Sequence, residues 1–207
     1  MFTGIVTAIG TIDSVEQRGD LRATIACPFD PAQVAIGASI ACSGVCLTVV
    51  SKSGTIGSMT FTVDISAETI ARTAKGMWEA GRSLNLETSL RLGDELGGHI
   101  VTGHVDAVGT VADWRPEGGS TRLTIAAPKE LAPFIAAKGS ITVDGTSLTV
   151  NAVNDRPDGS VHFELNIIPH TAEVTTLGEL RQGASVNLEI DVIARYLQRM
   201  QLLRAGD

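Results

Sequence analysis

The chain has 207 residues, of which 43% are hydrophobic, 19% charged and 4% aromatic, with 16 Lys and Arg against 23 Asp and Glu for a formal net charge of −7. With no basic cluster and no basic stripe interleaved with aromatics, this balance excludes nucleic acid as a partner. No apolar run approaches the roughly 18 residues of a membrane span, and Met1-Phe2-Thr3-Gly4-Ile5 lacks the start of a secretory signal, so a soluble, cytoplasmic protein without a membrane partner is expected.

Short runs rich in Val, Ile and Thr, punctuated by Gly, Asp, Pro and Ser, predict strands at Gly4 to Ile12, Leu21 to Ala26, Ser39 to Cys42, Val45 to Val50, Met59 to Val63 and Ser83 to Glu87. A helix opens at Ser66-Ala67-Glu68-Thr69-Ile70, before the last of these strands. Leu90 to Gly98 reads as a linker ending in two consecutive glycines. The strand order then repeats, with a second helix expected over Thr171 to Leu180. Closure best shelters about six short strands that have no edge protection, so each half reads as a closed barrel with a helix over one end. The expected fold is all-β: two homologous six-stranded antiparallel Greek-key barrels over residues 1–97 and 98–190, then a C-terminal helix over 191–207. In that helix Ile193, Tyr196, Met200 and Leu203 are spaced as in a heptad seam. The pattern fits a helix lying on its own barrel or one that self-associates.

The chain contains itself twice. Ser43-Gly44-Val45-Cys46-Leu47-Thr48-Val49 returns as Asp144-Gly145-Thr146-Ser147-Leu148-Thr149-Val150, 101 residues on. Phe2-Thr3-Gly4-Ile5-Val6 returns as Val101-Thr102-Gly103-His104-Val105 at 99, and Ser83-Leu84-Asn85-Leu86-Glu87 as Ser185-Val186-Asn187-Leu188-Glu189 at 102. A period near one domain length marks a duplicated domain, and two similar pockets suggest two similar ligands.

Strand alternation turns Val45, Leu47 and Val49 toward the core and Cys46 and Thr48 outward; in the second half Leu148 and Val150 point in, Ser147 and Thr149 out. Ser and Thr commonly decorate solvated faces, but an outward Cys is unusual, and the repeat keeps a thiol or hydroxyl in both halves. Cys27, Cys42 and Cys46 are odd in number and lack partners at zinc spacing, so neither a disulfide framework nor a metal site is expected. His99 and His104 stand five apart on opposite strand faces, so at most one serves a given pocket. The flexible Gly97-Gly98 approach favours His99 as a proton carrier over a surface or capping role. Ser66 to Thr69 and Asn166 to Thr171 precede the two helices, where free backbone N–H groups can hold heterocycle carbonyls, unless the same residues serve only as caps. No glycine-rich dinucleotide or triphosphate fingerprint is present.

Taken together, Met1 to Val6, Gly44 to Val49, Gly97 to Asp106 and Asp144 to Asn151 closely resemble riboflavin synthases of the lumazine-binding, trimeric type, over essentially the whole chain. Ser43 departs from the Asn common there, although Ser also supplies a turn-forming oxygen. The resemblance implies a transferase that dismutates two molecules of 6,7-dimethyl-8-ribityllumazine into riboflavin and 5-amino-6-(D-ribitylamino)uracil, the last step of riboflavin biosynthesis, without a cofactor. It also implies a homotrimer and association with lumazine synthase. Carried onto this chain, it puts the first lumazine against Gly4, Ile5, Val6, Ser39, Cys46, Leu47, Thr48, Asp64, Ile65, Ser66, Ala67, Glu68 and Thr69. The second would meet Gly98, His99, Ile100, Ser147, Leu148, Thr149, Asn166, Ile167, Ile168, Pro169, His170 and Thr171, with Lys138 reaching across a subunit interface. Cys46, His99, Ser147, Thr149 and Asp191 are the candidates for chemistry. The competing class is a lumazine protein that binds one lumazine or flavin without turnover; a flavin-dependent reductase would need a dinucleotide-binding domain that is absent here.

Overall fold

The computed structural model describes residues 1–204; residues 205–207 of the expected C-terminal helix lie outside the described residues. The first half contains β1 (Ala8–Arg18), β2 (Asp20–Cys27), β3 (Ser39–Cys42), β4 (Val45–Thr55), β5 (Ser58–Ile65), α1 (Ala67–Arg72) and β6 (Ser83–Thr88). These strands close an antiparallel barrel in the order β1-β2-β5-β4-β3-β6. The second half contains β7 (Ala107–Glu117), β8 (Ser120–Ala127), β9 (Ser140–Val143), β10 (Thr146–Thr149), β11 (Ala152–Asp155), β12 (Val161–Ile167), α2 (Pro169–Val174) and β13 (Ser185–Ile190).

Its sheet runs β10-β9-β13-β7-β8-β12-β11, the cyclic order of the first barrel with the fourth strand in two pieces. The break falls where β4 has its own irregularity, between Val49 and Ser51. Val150 N–H still donates to Gly139 O and Asn151 N–H to Glu164 O, so the chain crosses from one neighbour to the other at that point.

Period-2 alternation fills each interior. Ile25, Ile40, Phe61, Val63 and Leu86 are fully buried in the first, Ile125, Val143, Phe163, Leu165 and Leu188 in the second. Burying a Phe side chain contributes about 1.5–3 kcal/mol, so Phe61 and Phe163 anchor their cores. Two-residue turns join β3 to β4 and β9 to β10: Ser43 and Asp144 share a φ of 44°, followed by Gly44 at 84° and Gly145 at 79°. Positive φ at both central positions is the type I′ geometry that matches strand twist, which Ser-Gly and Asp-Gly can adopt.

The two halves are joined by polar contacts that mirror one another. Phe2 and Val101 exchange backbone hydrogen bonds of 2.8 and 3.0 Å. Asn85 Nδ2 donates to Asp144 O at 2.8 Å and Asn187 Nδ2 to Ser43 O at 2.9 Å, while their Oδ1 atoms accept from Thr176 N and Ala74 N, each at 2.7 Å. Asp144 is buried and accepts from Asn187 N of its own half at 2.7 Å, and burial pushes its carboxyl up to about 7.

Two local expectations need correction, and the C-terminal helix forms as expected over its described residues. β1 begins at Ala8, because Gly4 and Ile5 turn toward Ser147 and Gly97 of the other half before Thr7 N–H bonds back to Leu86 O. The helix expected over Thr171 to Leu180 stops at Val174: Thr175 is extended, with ψ 164°, its hydroxyl accepts from Leu177 N, and a 3-10 turn follows at Thr176–Glu179. The C-terminal helix α3 (Val192–Arg204) buries none of its residues; Ile193, Tyr196, Met200 and Leu203 are each more than half exposed. It is tied to the second half by an Arg195–Asp106 ion pair of 2.8 Å. No helix among the described residues is long and apolar enough to cross a membrane.

Candidate functional site

Two buried carboxylates shape the leading loop of each half. Glu87 accepts from Thr3 N at 2.6 Å, Thr3 Oγ1 at 2.7 Å and Gly4 N at 2.9 Å. Glu189 does the same for Thr102 N, Thr102 Oγ1 and Gly103 N, and adds His104 N at 3.1 Å. An ionised carboxylate has about four acceptor sites, so one side chain can fix a whole tight loop. Burial raises the Glu87 pKa, and its bonds to Thr3 and Gly4 oppose that rise.

Each loop crosses to the opposite half. Ser147 N–H donates to Gly4 O and Cys46 N–H to Gly103 O, both at 2.8 Å. A Cβ on Gly4 would lie 2.6 Å from Ser147 Cβ, and one on Gly103 2.7 Å from Cys46 Cβ, with φ at +76° and +78°. Only glycine admits that approach and that backbone conformation. Within the chain Gly4 therefore packs with Ser147 and Gly98, not with Cys46 as the sequence grouping had it, and Ile5 lies beside Gly97. The cleft at Cys46, about 180 Å³, is lined by Glu68 and Thr69 of the expected group and, in place of Gly4 and Ile5, by Gly103, His104 and Val105, with Arg72 beside them. His104 and its two neighbours were missed there. The match of Gly103-His104 to Gly4-Ile5 was visible in the repeat, but the crossing of the loops was not.

The nucleophile-type residues sit in contrasting surroundings. Cys46 packs on Phe2, Ala41 and Val101, an apolar cluster. Ser147 Oγ is 2.7 Å from Nδ1 of His99, whose Nε2 lies 3.4 Å from Thr142 Oγ1. His99 is 8% exposed; burial lowers its pKa and the nearby Asp191 charge opposes this, so the ring is neutral at neutral pH. Asp191 also caps α3, accepting from Ile193 N at 2.9 Å.

The other sequence candidates divide by environment. Thr48 and Thr149 are exposed on the faces that carry Cys46 and Ser147, and Ser39 pairs directly with Thr48. Leu47, Ile65 and Ile167 are core residues whose side chains point inward, and Leu148 is half-buried against the second core. Asp64 is held by Arg22 in a bidentate pair of 2.7 Å bonds. Ser66 caps α1 by accepting from Thr69 N at 3.2 Å, whereas α2, preceded by Ile168 and opened by Pro169, has no side-chain cap. Ile5, Ala67, Glu68, Gly98, Ile100, Asn166, His170 and Lys138 are exposed; Val6 and Thr171 are half-buried. Lys138 holds a φ of 66° where the first half has Gly37 at 85°, so a cation replaces a bare backbone at one turn of the repeat.

A duplicated antiparallel barrel, with a cleft at Cys46 and a loop of each half laid on the outward strand face of the other, is the frame of a small-molecule-binding protein built from two related halves. A family model described as the lumazine binding domain matches residues 3–89 and 102–191, and the chain belongs to that family. Among its relatives, riboflavin synthase of Brucella abortus (strain 2308) is 48% identical over 97% of this chain and 98% of the relative. Riboflavin synthase of Photobacterium phosphoreum is 42% identical over 98% and 90%. Of solved structures, LumP complexed with riboflavin superposes with a TM-score of 0.78 at 28% identity, covering 92% of this chain and 99% of that one. LumP complexed with 6,7-dimethyl-8-(1'-D-ribityl) lumazine gives 0.74 at 26% identity over the same shares.

Proposed function

We propose that the protein is a riboflavin synthase, a transferase that takes two molecules of 6,7-dimethyl-8-ribityllumazine to riboflavin and 5-amino-6-(D-ribitylamino)uracil. The observation that carries this reading is the reciprocal crossing of Gly4 to Ser147 and Gly103 to Cys46, which gives Ser147 and Cys46 matching surroundings and supports two related sites for two copies of one compound. Donor and acceptor are then the same molecule, and duplication of one binding domain supplies both sites.

The reaction needs a carbanion at the C7 methyl of one lumazine and nucleophilic addition at C7 of the other. An electron-poor ring makes that methyl acidic, so the protein mainly holds two flat rings in register and supplies proton carriers. A neutral His99 hydrogen-bonded to Ser147 is suited to proton transfer at the second cleft. Cys46, in its apolar setting, and Thr149 are assigned to holding or activating the adduct, and Asp191 to tuning His99. The other binding residues expected from the sequence form the ring contacts. Electrons are only redistributed between two identical reactants, so the balanced reaction calls for no redox partner.

The division at 97/98 and 190/191 belongs to this reading, as does a cytoplasmic location. So does a homotrimer in which the Cys46 cleft of one subunit faces the Ser147 cleft of the next, with Lys138 reaching across. The exposed apolar face of α3 supports self-association, since Ile193, Tyr196, Met200 and Leu203 are each more than half exposed. Association with lumazine synthase is the remaining partner in this scheme.

The likeness to LumP favours a second reading, a binding protein without turnover. Retention of Cys46-x-Thr48, Ser147-x-Thr149 and the His99–Ser147 contact argues for the enzyme. Mixing purified protein with the lumazine and following riboflavin absorbance separates the two: turnover supports the synthase, and tight binding without product selects the binding protein.

A further inference from the structure

We propose that Thr142 is a positioning residue for His99: its hydroxyl accepts the Nε2–H of the neutral imidazole and leaves Nδ1 bare to take the Ser147 hydroxyl proton. The inference rests on the reading of the Ser147 cleft as a site of proton transfer.

Thr142 lies directly across from Ser147 on β9–β10 and from Glu189 on β9–β13, so all three share the outward face over which His99 is packed. It is 1% exposed, and its hydroxyl's one hydrogen bond among the described residues is to His99 Nε2. The equivalent residue of the first half is Ala41. That residue stands across from Cys46 and Glu87 in the same register, 3% exposed, against Phe2 and Val101. The fold thus accepts an apolar side chain at this place, and the second half differs by one buried oxygen that meets the imidazole.

A histidine held at both nitrogens has its tautomer set by its partners. Thr142 is enclosed, whereas Ser147 is half-buried beside the Gly4 loop. A proton parked on the enclosed nitrogen leaves the accepting one toward the reacting side. Nε2–H is also the intrinsically preferred form of neutral imidazole. Without the Thr142 oxygen, that Nε2–H would be enclosed with no acceptor, and the preference would be opposed by an unpaired buried donor.

The test uses full-length protein labelled with 15N-histidine, together with Thr142→Val, which keeps the side-chain shape, and Thr142→Ser, which keeps the hydroxyl. The wild type should show His99 Nδ1 unprotonated and Nε2 protonated. T142V should show mixed tautomers and a kcat lower by on the order of ten-fold with KM within about two-fold, and T142S should restore both. An Nδ1–H tautomer in the wild type overturns the proposal. So does a T142V protein with unchanged tautomer, whatever its kcat, or one with altered tautomer and unchanged kcat. The tautomer is read without turnover, so failure of the wild type to make riboflavin would count against the synthase assignment alone.

Discussion

The Ser147 amide donates to the Gly4 carbonyl at 2.8 Å, and the glycine approaches so closely that an added Cβ would sit 2.6 Å from Ser147 Cβ. The outward-facing hydroxyl of the second half is thus positioned by the first residues of the chain. Sites that depend on both halves can be damaged from either one.

Gly4→Ala is the direct test. The substitution combines a positive φ, costly for any residue with a Cβ, with a backbone-level clash, so a loss of about 2–4 kcal/mol is expected. Turnover should fall at least about ten-fold, because Ser147 is displaced with the loop. Thermal denaturation and steady-state kinetics read both effects; an unchanged melting temperature would show that the loop does not hold the site. Gly103→Ala should do the same at Cys46.

Asn187 joins the halves through two side-chain bonds: its Nδ2 donates to Ser43 O and its Oδ1 accepts from Ala74 N. Asn187→Ala leaves a buried carbonyl and a buried amide unpaired at about 1–3 kcal/mol each. A loss of about 3 kcal/mol is expected, together with weaker coupling between the two cores. Calorimetry should show a lower and broader transition, or two. A sharp transition at the wild-type temperature would mean that the seam contributes little.

How much of this was legible in the sequence follows the range of each interaction. Strands such as β2, β3 and β5 were readable because alternation and turn residues such as Ser43-Gly44 act locally. The start of β1 was not, because Glu87, more than 80 positions away, pulls Thr3 and Gly4 out of line. The helix expected to reach Leu180 fails at Thr175, where a side-chain bond to Leu177 competes with helical continuation. His99, Cys46 and Ser147 were singled out by residue type and repeat position, and the fold brings His99 and Ser147 into contact. The crossing of the loops, which puts His104 rather than Ile5 beside Cys46, depends on how two barrels meet, and no local pattern carries that.

Asp144 makes stability depend on pH in an unusual direction. Burial raises its pKa from 3.8 to about 7, so the folded state holds a proton that the unfolded chain releases. The stabilisation is complete below about 3.8, declines as the pH climbs, and is gone above about 7. Asp144→Asn keeps an acceptor for Asn187 N, and Asn tolerates the φ of 44°. The variant should therefore flatten stability between about pH 4 and pH 8 and be the more stable protein at the upper end. Urea titrations across that range measure it; parallel curves for the two proteins would place the Asp144 proton elsewhere.

His99 titrates with the opposite sign. Burial depresses its pKa below the ordinary histidine value and Asp191 pulls it partly back. The folded state thus favours the neutral ring, and the stability this confers is present above the unfolded pKa and lost as pH falls through the folded one. A base that must be neutral gives kcat/KM an acid limb with its midpoint below the ordinary histidine pKa. Asp191→Asn preserves the α3 cap, since Asn caps as well as Asp, but removes the opposing charge. The limb should then move to still lower pH, and it should vanish in His99→Gln along with most of the rate. A limb that stays in place in Asp191→Asn would separate Asp191 from the proton carrier, and one that survives in His99→Gln would assign the titration to another group.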